Sequence, residues 1–419
     1  MAIAILTLAA LAPAQGGMAK DEEVDGDGGR DYMIRFAHAG SRAAQAQAVA
    51  ELGGVLVEWL PQINVATVRF PDAPTAQRAT MRLMTGRQAA AVELDSEVLG
   101  DGVSGDGEPV DDPDFVDPQH GYGQQRVQLA QALAVTHGQG AIMIAVLDSG
   151  INLTHPEFAG RIAPGYDFIN KDDDPADDAG HGTSVAGIAA MAVNGVGSVG
   201  VCPACTILPV KVLDEEGKGT FSRVVHGILY ATDRGARIIN LSLGATTDSA
   251  IMREAITYAH DRGVIIVASA GNQGSSTPYY PAAYEHVLAV GATDAADAWW
   301  PKSNFGDWVD VTAPGVAIFS ASVGATETPY ADITGTSAAA PFVSGLAALI
   351  LSQQPELTAE EVQALISEHA SDLGQPSRDD YYGYGRIDVL RTLTAVAPDA
   401  TTVQAPESIK LYLPAIVRK

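Results

Sequence analysis

Five short apolar runs, separated by segments with helical spacing, restrict the fold of this chain more than any other feature. The runs are four to eight residues long and lie at 142–147, 206–213, 238–243, 264–268 and 287–290. Such runs are typical of parallel strands buried on both faces. The segments 181–192, 222–234 and 249–262 have the spacing of helices. This alternation predicts an α/β fold of three layers with a mostly parallel sheet.

A smaller pattern precedes these runs. Strands are predicted at 32–36, 55–60, 65–70 and 90–94, and helices at 41–52 and 75–84. The order β-α-β-β-α-β is the split βαβ pattern, which predicts a small ferredoxin-like α+β domain at 32–98. The acidic, glycine-rich stretch 20–31 predicts a disordered linker. The stretch 99–114 is rich in Gly and Asp and predicts an exposed second linker, within or just before which cleavage is expected.

The two ends of the chain have their own patterns. The apolar run 1–14, with small residues at 12–14, predicts a secretory signal peptide at 1–19, although no Lys or Arg precedes it. We therefore expect a secreted protein. No later stretch approaches about twenty apolar residues, so no membrane span is expected. The Pro- and Thr-rich tail 398–419 predicts a disordered end, with a sorting or anchoring tag as the alternative.

The charge balance excludes one class of partner. The chain has 51 acidic and 25 basic residues, a formal net charge of −26. Binding to nucleic acid needs a basic face, so no nucleic-acid partner is expected. The acidity favours a soluble, hydrated surface, with a saline habitat or acidic calcium loops as further explanations.

The only two cysteines, Cys202 and Cys205, are spaced C-P-A-C. No two further zinc ligands are evident near them. A redox motif would follow a strand and open a helix, whereas this pair precedes the run 206–213. In a secreted protein the spacing favours a local disulfide, and two free buried thiols are the alternative.

Three polar residues stand beside small-residue turns. Asp148 ends the first apolar run, His181 opens a helical segment between two glycines, and Ser337 opens another before a run of alanines. A serine becomes a nucleophile when a histidine takes its proton and a carboxylate holds that histidine. At a helix start, backbone N–H groups favour a developing oxyanion. Asp148, His181 and Ser337 are the residue types of a catalytic triad, and their assignment as one follows from their order along the chain, which matches a known family. Pro341 is expected in the first helical turn, where proline is tolerated.

The order Asp, His, Ser and the surrounding small residues resemble the subtilisin-like serine protease family, the subtilases or peptidase family S8. The resemblance implies a subtilisin-like catalytic domain at 115–397. The block before it is similar to the family's N-terminal inhibitor-type propeptide, which implies an intramolecular chaperone and inhibitor. Ala338 stands where the family usually has Met, and Phe342 where it often has His. Neither change removes a catalytic group.

The resemblance also implies the rest of the site. Asn272 matches the family's oxyanion-hole asparagine, and a peptide substrate would bind as an added strand between two walls. One wall is Ser242, Leu243 and Gly244, and the other edge is Gly217, Lys218 and Gly219. The pocket for the residue before the cut is implied between 242–244 and Ser269, Ala270 and Gly271. Because 242–244 and 269–271 carry no charge, we expect a broad, hydrophobic-leaning preference for the residue before the cut. The acidic run 214–216 either favours basic residues upstream of the cut or is simply solvated.

Calcium is the one cofactor that the resemblance implies. Glu157 stands where the family has a calcium-binding Asp, and Asn194 begins a segment similar to its calcium loop. Oxygen ligands suit this cation. No organic cofactor is expected. The segment 195–200 fits G-x-G-x-x-G, but it follows a predicted helix and precedes a strand, so a dinucleotide site is not predicted.

Together these features predict a secreted, monomeric serine endopeptidase that is made as a zymogen and acts on proteins or peptides. Two alternatives belong to other classes. A catalytically silent binding or adhesion protein could use the same fold. A serine esterase is disfavoured because the chain has no G-x-S-x-G motif.

Overall fold

The computed structural model describes residues 30–100, 103–104, 115, 117, 120–324 and 329–396. The predicted signal peptide (1–19) and C-terminal tail (398–419) lie outside the described residues. Most of the two predicted linkers lies outside them as well.

The first described residues form a small α+β unit in the order expected from the sequence. Its elements are β1 Arg30–Phe36, α1 Arg42–Ala50, β2 Val55–Leu60, β3 Val65–Phe70, α2 Ala73–Thr85 and β4 Ala89–Leu94. The strands form one antiparallel sheet, β2-β3-β1-β4. The predicted linker 20–31 is wrong at its end, because Arg30 and Asp31 pair with β3. An ion pair of 2.7 Å between Asp31 and Arg69 supports that pairing.

The larger unit contains the remaining elements. They are β5 Glu97–Gly100, β6 Val103–Ser104, α3 Tyr122–Arg126, α4 Leu129–Leu133, β7 Met143–Asp148, a 3-10 helix Pro156–Phe158, β8 Tyr166–Asp167, α5 His181–Ala190, β9 Thr206–Lys211, β10 Lys218–Thr220, α6 Phe221–Asp233, β11 Ile238–Leu241, β12 Leu243–Gly244, α7 Ala250–His260, β13 Ile265–Ser269, β14 Val287–Thr293, β15 Val311–Pro314, β16 Ile318–Ala321, β17 Tyr330–Thr334, α8 Thr336–Gln353, α9 Ala359–Glu368 and α10 Val389–Val396.

Seven of these strands form one parallel sheet, in the order β15-β14-β13-β11-β7-β9-β8. In β7, Ile144 and Val146 contact the apolar cluster that contains α5 and α8. Ala145 and Leu147 contact the opposite cluster, which contains α6 and α7. The strands are therefore buried on both faces between two helical layers, and the predicted α/β fold is confirmed.

The small unit packs against the layer of α6 and α7. Met33, Leu60 and Val65 on its sheet belong to the same buried cluster as those two helices. The opposite sheet face packs on α1 and α2 through residues such as Val68 and Phe70. The antiparallel sheet thus separates two apolar clusters, one of which it shares with the larger unit.

Two carboxylates from the small unit reach the first turns of these helices. Glu93 accepts hydrogen bonds from Ser249 Oγ (2.6 Å) and from the N–H of Ala250 (2.9 Å) at the start of α7. Asp95 accepts one from the N–H of Ser222 (2.8 Å) at the start of α6. The N-terminus of a helix has unpaired N–H groups and favours negative charge. These contacts therefore fix the small unit on the larger one.

The stretch predicted as an exposed linker is ordered in part. β5 lies between β10 and β12 in an antiparallel sheet, and β6 pairs with β17. The linker prediction is therefore wrong for Leu99, Gly100, Val103 and Ser104, and the domain boundary at 98 falls inside a strand. The composition offers little apolar area, but the edges of two distant strands supply backbone partners for β5.

Two further features concern burial. Within the described ranges, α8 is the one helix with the length and hydropathy of a membrane span, but 94 % of that window is buried in the fold. It is the central helix of the larger unit.

Cys202 and Cys205 form a buried disulfide.

Candidate active site

Asp148 and His181 form a direct pair at the carboxyl edge of the parallel sheet. Asp148 is the last residue of β7 and is fully buried, and His181 is the first residue of α5. His181 Nδ1 lies 2.7 Å from Asp148 Oδ1. The N–H of Ser149 donates to the same oxygen, also at 2.7 Å. A proton on Nδ1, held by this carboxylate, makes Nε2 the basic nitrogen.

Ser337 is the second residue of α8 and is fully buried. The first turn of a helix has backbone N–H groups without partners in the helix, and these can stabilise negative charge. Ser242, which follows β11, donates to the Ser337 carbonyl, and Gly271, which follows β13, donates to Thr336, so α8 begins at the same carboxyl edge of the sheet as Asp148. The fold thus brings the three predicted triad residues to one edge.

Asn272 is tied to the start of α8. Its Oδ1 accepts hydrogen bonds from both the N–H and the hydroxyl of Thr336, each at 2.9 Å. The Thr336 hydroxyl in turn accepts one from the N–H of Gly271 at 3.0 Å. Because the amide oxygen accepts both bonds, the orientation of the amide is fixed and Nδ2 is its donor end. Both bonds come from Thr336, the residue before Ser337 in α8.

Pro341 lies inside α8, as its sixth residue, so the expectation that it lies in the first turn is wrong. Proline has no N–H and therefore cannot bond to the carbonyl of Ser337, four residues earlier. Ser242 Oγ donates to that carbonyl instead, at 3.1 Å. The helix can continue through Pro341 because another element supplies the missing donor.

Sequence reasoning missed the support beneath this contact. Asn240 Nδ2 donates to Ser242 Oγ at 2.9 Å, and Ser344 Oγ donates to Asn240 Oδ1 at 2.8 Å. All three side chains are buried. The signal available was a single polar residue, Asn240, inside an apolar strand, because a buried amide in a core strand needs partners.

The implied substrate walls are the two edges of one cleft, and β5 lies between them. Val98 pairs with Gly219, and Leu99 lies between Lys218 and Gly244. Gly100 pairs with Leu243, and its N–H donates to the Gly217 carbonyl at 2.9 Å. The other side of the implied pocket, Ser269, Ala270 and Gly271, is buried at the end of β13 and directly after it. An extended peptide can thus be held by backbone hydrogen bonds on both sides.

The cleft passes the catalytic residues. A Cβ built on Gly100 would lie 3.7 Å from His181 Nδ1. The chain is paired again at Val103, which lies opposite Thr334, three positions before Ser337. The end of β5 therefore lies near His181, and the start of β6 lies near the beginning of α8, where Ser337 is.

A cavity of about 460 Å³ lies beside His181. Glu215, Glu216 and Asp332 belong to its lining, together with Gly100. Both glutamates are exposed. The acidic run 214–216 thus borders a cavity where it can contact a substrate, and its exposure also fits the alternative that its charges are simply solvated.

Glu157 and Asn194 contact each other, but they do not form a calcium cage. Glu157 Oε2 accepts from Asn194 Nδ2 and from the N–H of Ala192, both at 3.0 Å, and Oε1 accepts from the Tyr330 hydroxyl at 2.6 Å. Asn194 Oδ1 accepts from a backbone N–H at 3.0 Å. Among the described residues, no group of three or more His, Cys, Asp or Glu could hold a metal. Asn194 turns its Nδ2 towards Glu157 and its Oδ1 towards a backbone N–H, so in this arrangement the two side chains do not present their oxygens to one calcium ion.

Comparison with known proteins gives one family. A family model described as the subtilase family matches residues 139–385. The thermophilic serine proteinase of Bacillus sp. (strain AK1) is 44% identical over 274 residues, 65% of this chain and 67% of that protein. Thermitase of Thermoactinomyces vulgaris is 40% identical over 283 residues, 67% of this chain and 98% of that protein.

A solved structure also matches. Fervidolysin from Fervidobacterium pennivorans, described as a keratinolytic enzyme related to subtilisin, superposes with a TM-score of 0.76 at 27% identity. The match covers 90% of this chain and 63% of the fervidolysin chain, so this chain spans less than two thirds of that protein.

Proposed function

Because the chain belongs to the subtilase family of serine peptidases, we propose that it is an endopeptidase secreted as a zymogen that removes its own N-terminal region. The observation that carries this proposal is the 2.7 Å pair of His181 and Asp148 beside the start of α8, where Ser337 lies. The site has the groups that acyl transfer needs: a nucleophile, a base, an orienting carboxylate and oxyanion donors.

In the proposed mechanism, His181 Nε2 takes the proton of Ser337 as the hydroxyl attacks the peptide carbonyl. Asp148 holds the Nδ1 proton and stabilises the imidazolium that forms. The amide of Asn272 and the backbone N–H of Ser337 donate to the oxyanion. His181 then gives its proton to the leaving amine, and water cleaves the acyl-enzyme by the same steps.

The position of β5 supports the zymogen part of the proposal. A strand of the chain's own N-terminal region, held between β10 and β12, would exclude a second peptide from the same cleft. Glu93 and Asp95 attach the small unit to the starts of α7 and α6. In this proposal residues 32–98 act as an intramolecular chaperone and inhibitor, and the mature enzyme is a monomer.

The strands β5 and β6 also restrict the position proposed for self-cleavage. Gly100, the last residue of β5, lies beside His181, and Val103, the first residue of β6, pairs with Thr334, three positions before Ser337. We expect self-cleavage between Gly100 and Val103. N-terminal sequencing of the mature enzyme checks this, and a start before residue 101 or after residue 103 would contradict it.

Two observations bear on specificity. The walls formed by 242–244 and 269–271 carry no charge, which favours a broad, hydrophobic-leaning preference for the residue before the cut. Val98 is fully buried among Phe221 and Leu243, whereas Leu99 is 49% exposed. A substrate should therefore gain affinity from an aliphatic residue at the position of Val98. Chromogenic peptides ending in Phe or Arg test the first point, and a large preference for Arg would contradict it.

The deciding experiment compares the secreted wild type with Ser337→Ala. We expect the wild type to lose its N-terminal region, hydrolyse casein and react with a fluorophosphonate, and the variant to stay full length and unlabelled. Ser352→Ala is the matched control, because it removes another buried hydroxyl from α8. Equal processing by wild type and Ser337→Ala would sink the proposal. That result would favour the alternative, a catalytically silent binding or adhesion protein with this fold.

A further inference from the structure

A second carboxylate, Asp177, lies behind the catalytic pair and accepts five hydrogen bonds. Its Oδ1 accepts from Ser149 Oγ at 2.8 Å and from the N–H groups of Gly180 (2.8 Å) and Ala179 (3.1 Å). Its Oδ2 accepts from the N–H and the hydroxyl of Thr183, at 2.9 and 2.5 Å. A partly buried carboxylate with this many donors is firmly held in one orientation.

The donors come from the two segments that hold the catalytic pair. Ser149 directly follows Asp148, whereas Gly180 and Thr183 stand on the two sides of His181. The Ser149 hydroxyl also accepts from the N–H of Gly182 at 3.0 Å. Asp177 therefore connects the end of β7 to the start of α5 through side chains that flank both catalytic residues.

The other end of Ser149 is held as well. Lys211 is fully buried at the end of β9, where it pairs in register with Asp148. Its Nζ donates to the Ser149 carbonyl at 2.6 Å and forms an ion pair with Asp178. Ser149 is thus fixed through its backbone by Lys211 and through its hydroxyl by Asp177.

We propose that Asp177 is a positioning residue that sets the geometry of the Asp148–His181 hydrogen bond. The inference rests on the proposed function of that pair. Asp148 and His181 lie on separate elements, and the angle and distance between their side chains depend on the turns beside them. A residue that holds both turns fixes the imidazole relative to the carboxylate, and small displacements in such a pair reduce the turnover rate strongly.

The chemistry of the contacts selects the test variant. An amide has one acceptor oxygen, so Asp177→Asn can satisfy the donors at Oδ1 or those at Oδ2, but not both. It keeps the shape of the side chain while one segment loses its anchor. Ser149→Ala removes the link between Asp177 and the segment of Asp148 by deleting a single hydroxyl, and it serves as the second variant if Asp177→Asn fails to fold.

The experiment measures kcat and KM of the self-processed enzymes on one chromogenic peptide. For both variants we expect kcat to fall about 10- to 100-fold, with KM changed by no more than about twofold. The double variant should lose little more than Asp177→Asn alone, because both changes break one connection. Asp177→Glu, which keeps both oxygens, should recover part of kcat. Asp174→Asn, an exposed carboxylate of the same loop, is the matched control and should act like wild type.

A spectroscopic readout separates positioning from mere stability. The proton between His181 Nδ1 and Asp148 should give a low-field resonance in the ¹H NMR spectrum, which should shift or broaden in both variants. An unchanged kcat and an unchanged resonance, with only a lower melting temperature, would overturn the proposal. If the wild type itself has no activity, the proposed function fails. The resonance then still reports whether Asp177 sets the geometry of the pair.

Discussion

The hydroxyl of Ser242 supplies the hydrogen bond that Pro341 cannot supply within its own helix, at the carbonyl of Ser337. Ser242→Ala should therefore leave a buried carbonyl without its donor, which costs about 1–3 kcal/mol of unfolding free energy. We expect kcat to fall with it, because that carbonyl belongs to the nucleophile. Denaturant unfolding and peptide hydrolysis measure the two effects.

The matched rescue restores the donor within the helix. Pro341→Ala returns a backbone N–H that can reach the Ser337 carbonyl. The double variant should regain most of the stability lost in Ser242→Ala. If the two changes are simply additive, the two donors do not substitute for each other and this interpretation is wrong.

Asn272→Ala should lower kcat by about 10²–10³-fold with little change in KM, a range that comes from subtilisin, a member of the same family. The amide donates where charge develops in the transition state, so substrate binding is affected less. Asn170→Ala, a change at an asparagine that contacts Asp167, is the control. A loss confined to KM would place Asn272 in substrate binding instead.

Glu157 offers a test of the calcium prediction. Burial raises the pKa of its carboxyl group, and its oxygens accept from Ala192, Asn194 and Tyr330. In Glu157→Gln the amide oxygen can keep the two bonds from Ala192 and Asn194, and the amide nitrogen can donate to the Tyr330 hydroxyl, so we expect a loss of no more than about 1 kcal/mol, with or without a chelator. Thermal unfolding of Ser337→Ala with and without Glu157→Gln measures it. A chelator-induced drop in melting temperature that disappears in Glu157→Gln would restore the calcium interpretation.

Asp310 gives a pH dependence of stability. Burial raises its pKa from 3.8 to about 6. Above that pH the folded chain holds a partly buried charge, with 28% of the side chain exposed, whereas below pH 3.8 the carboxyl group is neutral in both folded and unfolded states. The stability contributed by this group therefore falls as the pH rises through about 4 to 6. Asp310→Asn should stabilise the protein at about pH 8, by at most about 3 kcal/mol, and not at about pH 4.

Two contacts define the controls for that measurement. The N–H of Ala289 donates to Asp310 Oδ2 at 2.9 Å, a bond that an Asn oxygen can keep. Arg378, 3.8 Å away, would lose this ion pair but keep its bonds to the carbonyls of Asp307 and Val309. Asp307→Asn, at an exposed neighbour, should show no such dependence. Equal effects of Asp310→Asn at both pH values would contradict the assignment.

Much of the catalytic unit could be predicted from local patterns. The apolar run that ends at Asp148 is a strand because Val, Ile and Leu fill both sides of the sheet, and His181 opens a helix as its glycine flanks suggest. These features depend on neighbours in the sequence. The elements found at Asp148 and His181 therefore agree with the predicted ones to within a few residues.

The remaining features depend on partners far away in the chain. Leu99 and Gly100 form a strand because β10 and β12 offer paired edges, and their own composition favours a loop. Pro341 is tolerated because Ser242 lies beneath it. Glu157 matches a calcium position in the sequence, but Tyr330 brings a hydroxyl that occupies one of its oxygens. Local patterns cannot report such contacts.

The location of β5 has a consequence for the timing of activation. A strand tethered within the chain stays at the same local concentration however far the protein is diluted. The intramolecular cut should therefore have a first-order rate constant that does not depend on protein concentration. Later molecules can be cut by those already released, so the progress curve should show a lag that shortens as the concentration rises. Each molecule's own tethered strand thus sets the rate of its first cut.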